Sequence, residues 1–159
     1  MKSRRKCLGH DGVPHTFRWS AVFFITICGA GRHRNVLCTE QVGERILEAA
    51  RHYERINRWH VGLLVLMPDH LHGIFSFPYD QGMTSTVQQW KHYLARTYGL
   101  HFQRDFFDHR IRPGENYKAK VQYILNNPVR AGLVPNWQDW PYLIHRTACN
   151  GAGRVVQER

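Results

Sequence analysis

The amino-acid sequence predicts an α+β protein, a ferredoxin-like sandwich whose antiparallel sheet carries packed helices in the order β-α-β-β-α-β-α. Three observations lead there. Phe23-Phe24-Ile25-Thr26-Ile27 is a β-branched and aromatic run suited to a core strand. Residues 61–67 form a continuous apolar run suited to a buried strand, and Pro68-Asp69 turns the chain into another, so the two make a central hairpin. The segments between these strands carry apolar residues at helical spacing instead.

Taken in order, a strand over 17–28 leads into a Gly-rich, basic turn of Gly29, Gly31, Arg32, His33 and Arg34. Thr39 is positioned to cap a helix, in which Val42, Ile46, Leu47, Ala50 and Tyr53 recur at helical spacing up to about residue 56. The hairpin strands span 61–67 and 70–77. Pro78, Asp80, Gln81 and Gly82 form a loop, after which Thr84 or Ser85 caps a second helix carrying Val87, Trp90, Tyr93 and Leu94 to about residue 98. A short β-prone segment covers 106–111. Pro113-Gly114 then turns the chain into a third helix through Tyr117, Val121, Ile124 and Leu125, which Pro128 stops.

The 159 residues fit one domain with a hydrophobic core. A basic N-terminal arm occupies 1–16, the domain 17–145, and a flexible tail 146–159. Lys and Arg number 22 against 12 Asp and Glu, a formal charge of +10, and a domain this basic usually meets a polyanion. Nucleic acid fits better than a membrane surface, because the cations are scattered among aromatic residues rather than stacked along one amphipathic helix. The apolar run over 21–30 follows a basic stretch, as in a secretory signal, but reads better as a core strand and is too short to span a bilayer. Cys7, Cys28, Cys38 and Cys149 form no CxxC pair, which argues against a zinc ribbon and for reduced thiols in a cytoplasmic protein.

His70-Leu71-His72 opens the second hairpin strand. Residues two apart on a strand share a face, so both imidazoles can approach one ion while Leu71 turns to the core. Two packing histidines give the same pattern, and a zinc hydrolase would need a third ligand and an open position. Asp69 is close in sequence but is expected to point away from the histidine face; His109 is a more distant candidate. Tyr123 and Asn127 stand four apart on the third helix and so face one surface. Tyr117 is the rival tyrosine, rotated about 120° around that helix. Either tyrosine also reads as an ordinary core residue of an amphipathic helix.

Three words in one order go further: Val65-Leu66-Met67-Pro68-Asp69-His70-Leu71-His72, Phe106-Phe107-Asp108-His109-Arg110-Ile111-Arg112, and Tyr123-Ile124-Leu125-Asn126-Asn127-Pro128-Val129-Arg130-Ala131-Gly132-Leu133-Val134, with Trp140-Pro141-Tyr142 following. Together they resemble the single-tyrosine HUH transposases, closest to the REP-associated tyrosine transposases, and the resemblance covers residues 17–145. The resemblance implies a ferredoxin-like endonuclease and strand transferase acting on single-stranded, hairpin-forming or repeat DNA. It further implies that His70, His72 and Asn127 hold a divalent metal, Mg²⁺ or Mn²⁺, and that Tyr123 is the nucleophile of a 5′-phosphotyrosyl intermediate.

Those residue types suit the chemistry, since a cation on the scissile phosphate offsets charge that would repel a nucleophile. A phenol ionises near pH 10, so its activation needs help from the metal or a base that the sequence does not identify. Phosphate contacts are expected from Arg4, Arg5 and Lys6 of the arm, Arg32 and Arg34 of the first turn, Lys91 of the second helix, and Arg110, Arg112, Lys118 and Lys120 around the third. Trp19 or Trp90 could stack on unpaired bases, although each suits the core. Two other functions fit the same residues: a domesticated relative that binds structured DNA or RNA without cutting, and a hydrolase with a metal held by His70, His72 and His109. A monomer or homodimer, with the tyrosine acting in its own subunit or across a dimer, is compatible with the pattern.

Overall fold

The computed structural model describes residues 19–146. Five strands, β1 (Trp19–Cys28), β2 (His60–Leu66), β3 (His70–Pro78), β4 (Phe107–Ile111) and β5 (Leu143–His145), form one antiparallel sheet in the order β4-β1-β3-β2-β5. The first four have the order of a ferredoxin-like sandwich. Four helices join them: α1 (Glu40–Arg55), α2 (Met83–Tyr98), α3 (Tyr117–Leu125) and the short α4 (Asn127–Arg130). The basic arm with Arg4, Arg5 and Lys6, and the tail from 147, lie outside the described residues.

Alternation along the strands sorts the core into two layers. Ile25 and Ile27 of β1, Leu64 and Leu66 of β2, and Leu71, Phe75 and Phe77 of β3 face one side, where they pack with Ile46, Leu47 and Ala50 of α1 and Val87, Trp90 and Leu94 of α2. Trp59 and Trp90 meet edge to face at the centre of this layer, so Trp90 is a core residue. Leu63, Val65 and Ile74 turn to the other side and pack with Ile124 and Leu125 of α3. β2 is thus buried on both faces, which is why its sequence is apolar without alternation.

Thr39 caps α1 as its position predicts, its Oγ1 accepting the Val42 N–H at 3.4 Å. Three boundaries differ from the sequence reading. α2 starts two or three residues earlier than a Thr84 or Ser85 cap would allow, with Gly82 as the N-cap. Pro128 does not end the helical path but occupies the first turn of α4, where a missing N–H costs nothing. Beyond α4 the chain adds a 3-10 turn (Trp137–Asp139) and β5, a three-residue edge strand on β2. Trp140 Nε1 donates to Leu66 O at 2.8 Å and Leu66 N–H to Tyr142 O at 2.9 Å, clipping this segment to the sheet.

Candidate active site

His70 and His72 leave β3 on the face that carries α3, opposite the buried Leu71. Their Nε2 atoms stand 3.1 Å apart. Each ring is held by its other nitrogen: His70 Nδ1 is 2.7 Å from Asp69 Oδ1, and His72 Nδ1 is 2.8 Å from Thr26 Oγ1 on the neighbouring strand. Burial alone would raise the Asp69 carboxyl, but the His70 ring and the His33 N–H, 2.8 Å from Oδ2, hold it below its ordinary range. Asp69 is therefore an ionised acceptor to which His70 Nδ1 donates, and this turns His70 Nε2 toward His72 Nε2. Burial, with His70 close by, pushes His72 down to about 4, so its imidazole stays neutral near pH 7.

Two ring nitrogens 3.1 Å apart, close enough to share a proton, also fit a cation held between them. Ligands about 2.1 Å from an ion and at right angles lie about 3.0 Å from each other, and anchoring of the distal ring nitrogens is the usual support for metal-bound histidine. The placement of Asp69 corrects the sequence reading. It lies in the turn before β3, outside the strand's alternation, and bends back onto His70. It also fastens the first basic turn, because Gly29 N–H donates to Asp69 O at 2.8 Å and His33, in the left-handed region at φ 61°, donates to the carboxylate.

Tyr123 lies on α3 with its side chain half exposed, at 51 %. It lines a groove of about 430 Å³ with Phe24, Glu115, Ala119, Lys120 and Ile124. Phe24 joins the two halves of the site: its ring stacks on His72 with centroids 5.7 Å apart, and its other surroundings include the groove. Arg130 of α4 places its guanidinium 5.1 Å from the centre of the Tyr123 ring. Tyr117, the rival, is turned to the sheet near Gly62, at the opposite end of β2 from the rung that pairs Val65 with His72, and burial raises its hydroxyl. Asn127 opens α4 half-buried; its Nδ2 donates to Ile124 O at 3.3 Å, and its Oδ1 has no hydrogen-bond partner among the described residues.

His109 is on the same sheet face, opposite Phe24 in the β1–β4 register. Its Nε2 meets Glu115 Oε2 at 2.9 Å, and the same carboxylate takes Lys120 Nζ at 3.3 Å and, through Oε1, the Arg112 N–H at 3.1 Å. Among the described residues no three His, Cys, Asp or Glu side chains converge on one point. His109 is thus engaged with Glu115, and a three-histidine centre is not assembled.

The basic residues divide. Arg32, Arg34, Arg112 and Lys118 are exposed. Lys91 is not a surface cation: it is buried on α2, its Nζ donating to Gln103 O at 2.6 Å and Arg104 O at 2.7 Å, and desolvation lowers its pKa. Arg110 alternates with His109 along β4 and belongs to the opposite side of the sheet from Tyr123. The sequence reading missed Thr26, Phe24, Glu115 and Arg130. Thr26 and Phe24 could have been found only from the β1–β3 register, which pairs them with His72 and Ile74.

The family model described as "Transposase IS200 like" matches residues 18–111, from β1 to the end of β4. The chain belongs to the IS200-like transposase family. The matched span of this transposase carries His70, His72, Asp69 and Phe24; α3 follows it. A REP-associated tyrosine transposase from Escherichia coli (strain K12) is 29 % identical over 133 residues, covering 81 % of this chain and 79 % of its own length. A solved structure of a REP-associated tyrosine transposase bound to a REP hairpin superposes with a TM-score of 0.70 at 24 % identity, covering 90 % of this transposase and 82 % of that chain. The likeness extends the shared fold beyond β4. Among the described residues no helix of the IS200-like chain is long and apolar enough to cross a membrane.

Proposed function

We propose that this transposase nicks and rejoins single-stranded DNA beside a hairpin through a covalent bond to Tyr123. The observation that carries the reading is the pair of Nε2 atoms 3.1 Å apart on the sheet face that α3 covers. The hairpin substrate is suggested by the REP hairpin bound in the structural relative, and a formal charge of +10 suits a polyanion.

Tyr123 Oη attacks the scissile phosphorus, forming the 5′-phosphotyrosyl bond as the bond to the 3′ oxygen breaks, and the phenolic proton is balanced by the one gained by the released 3′-hydroxyl. The energy of the broken ester is kept in the new one, so a second 3′-hydroxyl reverses the step and joins strands without a nucleotide cofactor. His70 and His72, with Asn127 through its amide oxygen, are the residues that would hold Mg²⁺ or Mn²⁺. A bound divalent ion would polarise the phosphate and offset charge developing on its oxygens. Asp69 and Thr26 orient the two rings, and Arg130 lies close enough to Tyr123 to meet an anion there.

The test is a denaturing gel of wild type and Tyr123→Phe, each incubated with end-labelled hairpin oligonucleotides bearing single-stranded flanks, in Mg²⁺ or Mn²⁺. Labelled DNA held covalently on wild type alone is expected. Cleavage that survives in Tyr123→Phe would point to a water nucleophile, and binding without cleavage by either protein would point to a binding role.

A further inference from the structure

We infer that one unpaired nucleobase of the DNA strand seats at the mouth of the groove beside Tyr123, against Phe24 of its lining and the neighbouring exposed ring of Phe107. This rests on the strand-transfer reading and names a part of the substrate that the reading leaves open. Phe107 is 57 % exposed, the most exposed of the large hydrophobic residues among those described. It stands on β4 opposite Thr26, so it shares the face of Phe24 and His72. Its ring meets the Phe24 ring edge to face, with centroids 6.0 Å apart, and Phe24 lines the groove.

Folding gives no reason to leave Phe107 uncovered. α3 packs Ile124 and Leu125 over β2 and β3, and its cluster reaches Ile111 at the far end of β4, but Phe107 at the near end stays exposed. An exposed ring there costs solvation in the free protein and gains only from a flat apolar partner. A groove of about 430 Å³ is at the small-ligand end of binding cavities, roughly 300–1,000 Å³, enough for one nucleotide.

Its rim states the partner's charge. Lys120 lines the groove but is paired there with Glu115, which also lines it, so the positive charge left over comes from Arg130 at the Tyr123 ring, with Arg112 and Lys118 exposed nearby in the chain. Aromatic rings flanked by cations are how proteins hold unpaired strands: phosphates meet the charges while bases stack on the rings. A second copy of this chain would bring its own positive charge to the same rim. A base held against Phe24 and Phe107 would fix the strand beside the Tyr123 hydroxyl, where a small error in position is costly.

The experiment uses the full-length Tyr123→Phe protein, which can bind but not form the covalent bond, and hairpin oligonucleotides with 2-aminopurine at one unpaired flanking position at a time. Quenching is expected at one position, lost in Phe107→Ala and kept in Phe107→Trp. Phe107→Ala should weaken binding about 5- to 100-fold, and an abasic site at the quenched position should weaken wild type equally and add nothing in Phe107→Ala. DNA bound with no quenched position, or quenching and affinity unchanged in Phe107→Ala, would overturn the inference and leave the strand-transfer reading intact. A wild-type dimer that Phe107→Ala dissociates, with quenching unchanged, would assign the face to self-association and overturn it too. Failure of the protein to bind any hairpin oligonucleotide would instead remove the strand-transfer reading, and the inference with it.

Discussion

Asp69 accepts His70 Nδ1 at 2.7 Å through one carboxylate oxygen and the His33 N–H at 2.8 Å through the other. One side chain thus ties the orientation of an imidazole to the loop that presents Arg32 and Arg34. Asp69→Ala should weaken Mn²⁺ binding about 10- to 100-fold, the usual cost of losing a group that orients a metal-bound histidine. Asp69→Asn, which keeps an acceptor for His70, should lose less. Titration calorimetry measures both, and unchanged affinity in Asp69→Ala would show that the ring is fixed by other means.

Ile124 and Leu125 of α3 share a core with Val65 and Ile74 of the same chain, so Tyr123 is carried on the face of its own histidines. Mixing His72→Ala with Tyr123→Phe should therefore restore no covalent adduct. Recovery of the adduct in the mixture, read on a denaturing gel, would mean that α3 docks on a partner's sheet in solution.

Lys91 and Lys118 should part company when mutated. Lys91→Met leaves the carbonyls of Gln103 and Arg104 without their donor and should cost about 1–3 kcal/mol in urea unfolding, with no change in the salt dependence of DNA binding. Lys118→Ala should leave stability unchanged and, where Lys118 meets a phosphate, lower the slope of log affinity against log salt by about 1. A reduced slope in Lys91→Met would contradict its burial.

The four main strands and three of the helices are legible in the sequence through composition or period: a β-branched and aromatic run for β1, an unbroken apolar run for β2, and the 3.6 spacing for α1 and α2. The misreadings share a cause, which is position outside or across a period. Lys91 looked like a surface charge, yet it is four residues after Val87 and three before Leu94, on the buried stripe of α2. Strand alternation does not fix the direction of Asp69, because it begins only at His70. Pro128 has the look of a stop, yet the first turn of a helix admits proline. β5 is three residues long, too short to show alternation, and exists because β2 offers it an edge. Of the proposed site, the polar members His70, His72, Tyr123 and Asn127 can be named from the sequence. Thr26, Phe24 and Glu115 cannot, because they join it through register and packing that a single sequence does not display.

Gly43 of α1 lies against the Tyr142 ring, so that a Cβ built on it would fall 2.3 Å from a ring carbon. Gly43→Ala should gain at most about 1 kcal/mol of helix propensity but force apart α1 and the segment that leads into β5, at about 1–3 kcal/mol. A net loss of stability in urea unfolding is expected, smaller when Tyr142→Leu is added. A more stable Gly43→Ala would show that the ring moves aside freely.

Glu115 gathers three donors: the His109 ring, the Arg112 N–H and Lys120. The His109 contact, then the Arg112 N–H, with help from Lys120, holds its carboxyl down at about 2. The sign follows from linkage. A carboxylate bound more tightly in the folded state favours folding above its unfolded value of about 4.3, and that contribution is lost as pH falls from there toward the lowered value. Carbon-detected NMR of the Glu115 carboxyl should show a midpoint at about 2, rising toward the ordinary range in His109→Ala. A midpoint already in the ordinary range in wild type would mean that the cluster does not persist in solution. Lys120 lines the same groove as Tyr123, so the carboxylate also sets how much positive charge that groove offers. Glu115→Gln removes the counter-charge and should tighten DNA binding at low salt, with the gain fading as salt screens it.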